Sequence, residues 1–292
     1  MRRAALIYNP KSGRQRHAEL LEGVLARLKE GGFEVQLSPT AFAGQATDLA
    51  RGFAADGAVE VVFAFGGDGT AREVAAGLLG TPVALGVLPG GTANLLALAL
   101  GLPRDPVRAA AALARARMRA FDVGLAGEHP FLMMVSAGLD ATVLAALDVK
   151  LKWRFGEAAI AWQGLREWWR YSYPNIEVIA DGERLAATFA AVANIPFYAG
   201  SFRLAPGARP DDRRLELVLF RGRGRRATLG FVADVLRSAH VRRRDVEVRK
   251  VEEVLLGGPA GTAAQVDGDL CEERLPVRVR LAEERLRVLF PS

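Results

Sequence analysis

The chain has 292 residues, half of them hydrophobic, which is enough for more than one buried core and leads us to expect two domains. Lys and Arg (39) exceed Asp and Glu (33), and the resulting +6 favours anionic partners such as nucleotides or acidic lipid headgroups. Cys271 is the single cysteine, so an intrachain disulfide framework is excluded and a reducing cytoplasm is the expected compartment.

The opening MRRAALIYNP has too short an apolar run for a signal-peptide core and reads instead as a strand. The amphipathic RHAELLEGVLARLKEGG follows, with Leu21, Leu25 and Leu28 on one face and glycines to end the helix. FEVQLSPT is the next strand, QATDLARGFAADG the next helix, and VEVVFAF and PVALGVL are runs suited to strands buried on both faces. Val74 to Pro103 carries no charge, but its glycines and prolines would break any helix long enough to cross a membrane. This alternation predicts a parallel sheet covered by helices, ending near Phe121 after DPVRAAAALARARM.

Beyond that point, strand-like runs come without regular helices between them: FLMMVSAG, NIEVIADGERL, TFAAVANI, RLELVLF, VEVRKVEEVLL, AAQVDGD and LPVRVRLAEERLRVLF. The Asp-Gly pairs at 181/182 and 267/268 are hairpin-turn signals, so the second half is expected to be antiparallel, with helical inserts around 141–171 and 227–240. The expected domains are therefore 1–121 and 122–292.

Glycines concentrate after the buried runs. In FAFGGDGTAREV, Gly66, Gly67 and Gly69 let backbone N–H groups converge on an anion at a helix N-terminus, with Thr70 as the expected cap. Asp68 would repel phosphates unless Mg2+ lies between them or the carboxyl takes a proton, so the turn points to a metal-nucleotide. NPKSGR (Asn9, Pro10, Lys11, Ser12, Gly13, Arg14) and PGGTAN (Gly90, Gly91, Thr92, Asn94) follow other strands, and in a parallel sheet such loops share one edge. The dinucleotide fingerprint fails because Arg72 stands at its third glycine, and the Gly-Lys pair of a Walker loop is absent.

The ordered set NPKSGR, GGDGTAREV, PGGTAN, FDVG, SAGLDA and VDGD resembles the diacylglycerol kinase catalytic family of lipid kinases, to which sphingosine and ceramide kinases belong. The resemblance implies a Rossmann-like N-terminal nucleotide domain, a C-terminal antiparallel β-sandwich, a site in the cleft between them, and transfer of the ATP γ-phosphoryl group to a lipid hydroxyl in phospholipid biosynthesis. It assigns ATP contacts to Asn9–Gly13, Thr40, the Gly66–Glu73 segment and Thr92, Mg2+ to Asp68 and Asp122, and the general base to Asp269. In our reading Arg14 or Lys11 stabilises the transferring group, and backbone donors at 66–70 and 90–92, Gly91 among them, hold the phosphates.

The chain departs from the family pattern in three places. Asp269 stands where the family usually has Glu; Leu95-Leu96-Ala97-Leu98 replaces a common Asp-Phe-Ala-Arg; and Arg213 replaces the glycine of a DDG turn whose second Asp, here Asp212 beside Asp211, holds a structural Mg2+.

All four tryptophans lie in WRFGEAAIAWQGLREWW among basic residues, with Trp162, Leu165 and Trp169 at helical spacing. That face suits an anionic membrane surface, the inner face of the membrane for a peripheral enzyme, and its competing uses are packing on the sandwich or a homodimer contact. RGRGRR and the RRR at 242–244 lack interleaved aromatics, which argues against nucleic acid, and His17, His129 and His240 lack metal-site spacing. The expected protein is an ATP- and Mg2+-dependent kinase of a lipid alcohol, most simply diacylglycerol-like. An NAD kinase and a non-catalytic lipid- or nucleotide-binding protein are the rivals.

Overall fold

Every residue of Val61–Gly66 and Ala84–Pro89 is buried, as expected of apolar runs in the middle of a parallel sheet. The computed structural model describes residues 1–10, 17–146, 157–271 and 275–291. The chain divides into two compact units, one of Met1–Val123, Ala199–Ser201 and Ala282–Ser292, the other of Gly124–Tyr198 and Phe202–Leu281.

The described strands begin with β1 (Arg2–Tyr8), β2 (Phe33–Pro39), β3 (Val61–Gly66), β4 (Ala84–Pro89), β5 (Arg117–Ala126), β6 (His129–Phe131), β7 (Met134–Ala137), β8 (Ile176–Ala180) and β9 (Glu183–Ala187). They continue with β10 (Phe189–Ala193), β11 (Phe197–Tyr198), β12 (Phe202–Arg203), β13 (Leu215–Phe220), β14 (Val246–Val251), β15 (Glu253–Gly257), β16 (Ala264–Val266), β17 (Asp269–Leu270) and β18 (Val277–Phe290). The described α-helices are α1 (His17–Glu30), α2 (Gln45–Asp56), α3 (Asp68–Leu78), α4 (Leu95–Ala99), α5 (Pro106–Leu113), α6 (Leu139–Ala145), α7 (Glu157–Arg170) and α8 (Arg225–Leu236).

In the first unit the strand order is β2-β1-β3-β4, all parallel, and the C-terminal half of β18 adds beside β4 in the same direction, with Arg287 opposite Ala84. The α/β architecture read from the alternating runs is the observed one. Asp105 caps α5 through a bond from the Arg108 N–H, with Pro106 in the first turn, as a helix start requires.

In the second unit the two larger sheets are antiparallel, and β11 and β12 form a separate two-stranded pair. One runs from the N-terminal half of β18 through β15 and β8 to β9, the other in the order β14-β13-β10-β7-β16-β17. Val178, Val254, Leu256 and Val279 of the first meet Val135, Val192, Leu217 and Val266 of the second in one core, which makes this a β-sandwich. The second sheet has another apolar layer on its far side, where Ala191, Val218 and Phe220 pack with Phe231 and Val235 of α8. That is why TFAAVANI and RLELVLF lack polar alternation: their strands are covered on both faces.

Candidate active site

The register of the parallel sheet fixes which loops meet. Tyr8 lies opposite both Pro39 and Phe65, and Gly66 opposite Pro89, so the segments beginning at Asn9, Thr40, Gly67 and Gly90 leave the sheet at one edge. Backbone bonds tie them together: Asn9 N–H donates to the Phe65 carbonyl at 3.3 Å, Thr40 N–H to Tyr8 at 2.9 Å, and Gly90 N–H to Gly66 at 2.7 Å. Lys11, Ser12, Gly13 and Arg14 lie outside the described residues.

Two glycine turns are pressed backbone to backbone at this edge. A Cβ on Gly91 would stand 2.5 Å from the Gly67 Cα, closer than any side chain tolerates. Asn94, in the left-handed region at φ 51°, clamps the second turn: its Oδ1 accepts from Gly91 N–H at 2.9 Å and its Nδ2 donates to the Gly91 carbonyl at 2.8 Å. Thr92 is exposed. Gly69 has open space where a side chain would be, in the first turn of α3.

This contrast gives a paired expectation. Gly91→Ala should lower stability by about 1–3 kcal/mol through overpacking, read by urea unfolding. Gly69→Ala should be as stable as the parent or more so by about 0.5–1 kcal/mol in the same measurement, and a loss of stability like that of Gly91→Ala would contradict the open space at Gly69.

Thr70 does not cap α3. The helix begins one turn earlier than expected, at Asp68, with Gly67 as its N-cap and no side-chain cap, and the Thr70 side chain packs instead against Gly66. Glu73 works between helices: its Oε2 accepts from Ala46 N–H at 3.2 Å and its carbonyl accepts from the Thr47 hydroxyl at 3.0 Å, fastening α3 to α2.

The Asp68 carboxylate reaches across to α4, where Oδ2 accepts from Leu95 N–H at 3.1 Å and Oδ1 from Leu96 N–H at 3.0 Å. The acid in the glycine turn thus joins the two turns. Burial holds its carboxyl above the ordinary range, opposed by these backbone bonds.

Asp122 is fully buried, and the Arg285 Nε lies 2.9 Å from its Oδ1. Asp212 pairs with Lys250 Nζ at 2.9 Å through one oxygen and accepts from Arg214 N–H at 3.1 Å through the other. Both carboxylates therefore already have a protein cation. Among the described residues, no group of three or more His, Cys, Asp or Glu side chains is placed to hold a metal. A magnesium ion needs no such group, since it binds through one or two carboxylates, several waters and substrate phosphates. Asp68 fits that demand, because each carboxylate oxygen keeps a lone pair beyond the one its N–H bond uses.

In the second unit the VDGD segment forms the turn between β16 and β17. Asp267, at φ 51°, is buried and accepts three backbone N–H bonds, from Leu132 at 2.8 Å and from Met133 and Met134 at 2.9 Å. Asp269, two residues on, is exposed on β17. Reasoning from sequence singled out Asp269 and missed the anchoring role of Asp267, for which the only signal was a second acid in an Asp-Gly turn.

On α7 the expected face is observed. Trp162, Leu165 and Trp169 are 62%, 56% and 60% exposed, whereas Trp168 is half-buried and Trp153 lies outside the described residues. The Arg225 guanidinium stacks over the Trp169 ring at 4.0 Å and donates to the Trp169 carbonyl at 2.6 Å. On α8, Leu229, Val232 and Leu236 form a second exposed apolar stripe. Not every arginine of the basic runs is free: Arg243 pairs with Asp234 and Asp245 at 2.8 Å.

Comparison with known proteins places this geometry in a family. Residues 3–126 match the model of the diacylglycerol kinase catalytic domain, and residues 133–290 that of the YegS C-terminal NAD kinase beta sandwich-like domain. A probable lipid kinase YegS-like of Chromohalobacter salexigens is 35% identical over 74% of this chain and 70% of its own. A diacylglycerol kinase of Bacillus subtilis is 28% identical over 92% of this chain and 90% of its own. Among solved structures, a putative diacylglycerol kinase from Bacillus anthracis superposes with a TM-score of 0.83 at 22% identity, covering 99% of this chain and 96% of that one, a likeness of fold. The chain belongs to the diacylglycerol kinase catalytic-domain family of lipid kinases.

Proposed function

We propose that the protein transfers the γ-phosphoryl group of ATP to the hydroxyl of a diacylglycerol-like lipid. The observation that carries this reading is the meeting of the Asn9, Thr40, Gly66–Thr70 and Gly90–Asn94 segments at one sheet edge, where Gly69 leaves open space in the first turn of α3; the Gly90 and Gly91 N–H groups are taken by the Gly66 carbonyl and Asn94 Oδ1, so the phosphate donors fall to the N-terminus of α3 rather than to Gly91. In the reaction the lipid hydroxyl oxygen bonds to the γ-phosphorus, the bond from that phosphorus to the β-phosphate oxygen breaks, ADP leaves, and Asp269 accepts the hydroxyl proton. Mg2+ held by Asp68 would neutralise phosphate charge. Asp122 and Asp212 then serve as charge-paired structural carboxylates, in line with their Arg285 and Lys250 partners.

The direct test incubates the protein with labelled ATP and Mg2+ and offers diacylglycerol in mixed micelles, a sphingoid base, and NAD as acceptors. Label in the diacylglycerol fraction is expected. Label in NAD alone would replace the reading by the NAD kinase one, and nucleotide binding without transfer to any acceptor would leave a binding protein.

Access to such a substrate requires a bilayer, and among the described residues no helix is long and apolar enough to cross one. We assign docking at the inner membrane face to the exposed stripe of α7, whose aromatic rings and neighbouring Arg166, Arg170 and Arg225 suit an anionic interface. Replacing Trp162 and Trp169 with Ser should weaken co-sedimentation with phosphatidylglycerol vesicles by about tenfold per residue. Unchanged co-sedimentation would give this face to a protein partner, a second copy of the chain being tested by sedimentation velocity.

A further inference from the structure

A buried polar chain in the second unit leads to the turn that carries Asp269. Gly268 N–H donates to Gln265 Oε1 at 2.7 Å, Gln265 Nε2 donates to the Ser136 hydroxyl at 2.7 Å, and that hydroxyl donates to Asp140 Oδ2 in a short bond. Tyr198 adds its hydroxyl to the same oxygen at 3.4 Å. Ser136 is fully buried and Gln265 is 2% exposed. The other oxygen of Asp140 is buried and has no hydrogen-bond partner among the described residues.

The direction of the chain follows from its end. A carboxyl oxygen that accepts from Ser136 leaves the serine lone pairs for Gln265, so the glutamine must present its NH2 group there and its carbonyl to Gly268. A flipped amide would set two N–H groups against each other at the turn. Asp267 fixes the same turn from its other side through the N–H groups of residues 132–134. Asp140 stands half-buried in the first turn of α6, so the chain runs from that helix to the 267–269 turn.

We propose that Asp140, Ser136 and Gln265 form a positioning relay that holds the 267–269 turn so that the Asp269 carboxylate meets the lipid hydroxyl. This rests on the phosphoryl-transfer reading above. The three residues touch no reacting atom; they act through the Gly268 N–H.

Gln265→Met keeps the length of the side chain and removes the amide. It should lower kcat by about tenfold to a hundredfold, leave the KM for ATP unchanged, and speed exchange of the Gly268 amide measured by NMR. Gln265→Glu carries the discriminating signature. Protonated, it donates to Ser136 and accepts from Gly268 as glutamine does; ionised, it cannot donate. Burial and the Asp140 carboxyl beyond Ser136 favour the protonated form; Asp267 and Asp269 are the other carboxyls of its own turn, and the Tyr198 and Tyr171 hydroxyls are the titratable groups beside Asp140. The ratio of its kcat to the parent's should therefore rise as pH falls, while that of Gln265→Met stays low throughout.

If the methionine variant does not fold, Ser136→Ala, which removes one oxygen, carries the same expectation. Unchanged Gly268 exchange in a folded variant would overturn the relay. So would a pH profile of Gln265→Glu parallel to the parent's. A parent that phosphorylates no lipid while Gly268 exchange still responds to Gln265→Met would overturn instead the reading of function, and with it the catalytic purpose of the relay.

Discussion

Asp269→Asn is expected to cut turnover by about 10²–10⁴ while leaving the unfolding midpoint near that of the parent. The side chain is exposed on a two-residue strand and asparagine keeps its shape, so the change opens no cavity. The turn itself is held by Asp267 and by the Gly268 to Gln265 bond, neither of which uses the Asp269 carboxylate. Activity should therefore fall without stability. Asp269→Glu extends the carboxylate by one methylene to the residue more usual in the family and should keep activity within about tenfold of the parent, since the proton acceptor is retained. Steady-state kinetics with a lipid acceptor and thermal unfolding of all three proteins give the answer. An Asn variant with parental kcat would remove Asp269 from proton transfer.

Asp68→Asn is expected to fold and to lose at least about a hundredfold in turnover. Two effects on stability oppose each other. The amide matches only one of the two N–H groups at Leu95 and Leu96, but it also ends the burial of a charge. Burial pushes the Asp68 carboxyl upward against the bonds that its charge makes, which favours a neutral isostere at this position.

The same shift sets a sign for pH. A carboxyl whose native value is raised contributes stability that is present below the unfolded value and lost as pH rises through the native one. Unfolding free energies measured as pH rises above the ordinary carboxylate range should show that loss in the parent and not in the variant. Parental turnover in Asp68→Asn would sink the metal role. A variant that fails to fold would reduce Asp68 to the fastening of α4.

Much of this protein is written locally. Uncharged apolar runs made β3 and β4 recognisable as interior strands, and glycines directly after them marked the turns, because both signals depend on neighbours in the chain. Parallel order then follows from the helices between strands, and with it the shared edge where Asn9, Gly67 and Gly90 emerge. The shared face of Trp162, Leu165 and Trp169 was likewise legible, since helical spacing alone sets which residues share a face, whereas its exposure is seen only in the folded chain.

What the sequence could not disclose is the partner of each charged or polar group. Asp68 found the N–H groups of α4, Asp122 found Arg285, Asp212 found Lys250, and Asp267 found residues 132–134. Alternation in VRVRLAEERLRVLF foretold a strand, yet only the folded chain shows its first residues beside β15 and its last beside β4. A carboxylate looks the same in sequence whether it faces a metal, a guanidinium or a backbone donor. The choice is made by which distant segment the packed sheets bring within hydrogen-bond reach, and that proximity exists only once the apolar cores have closed.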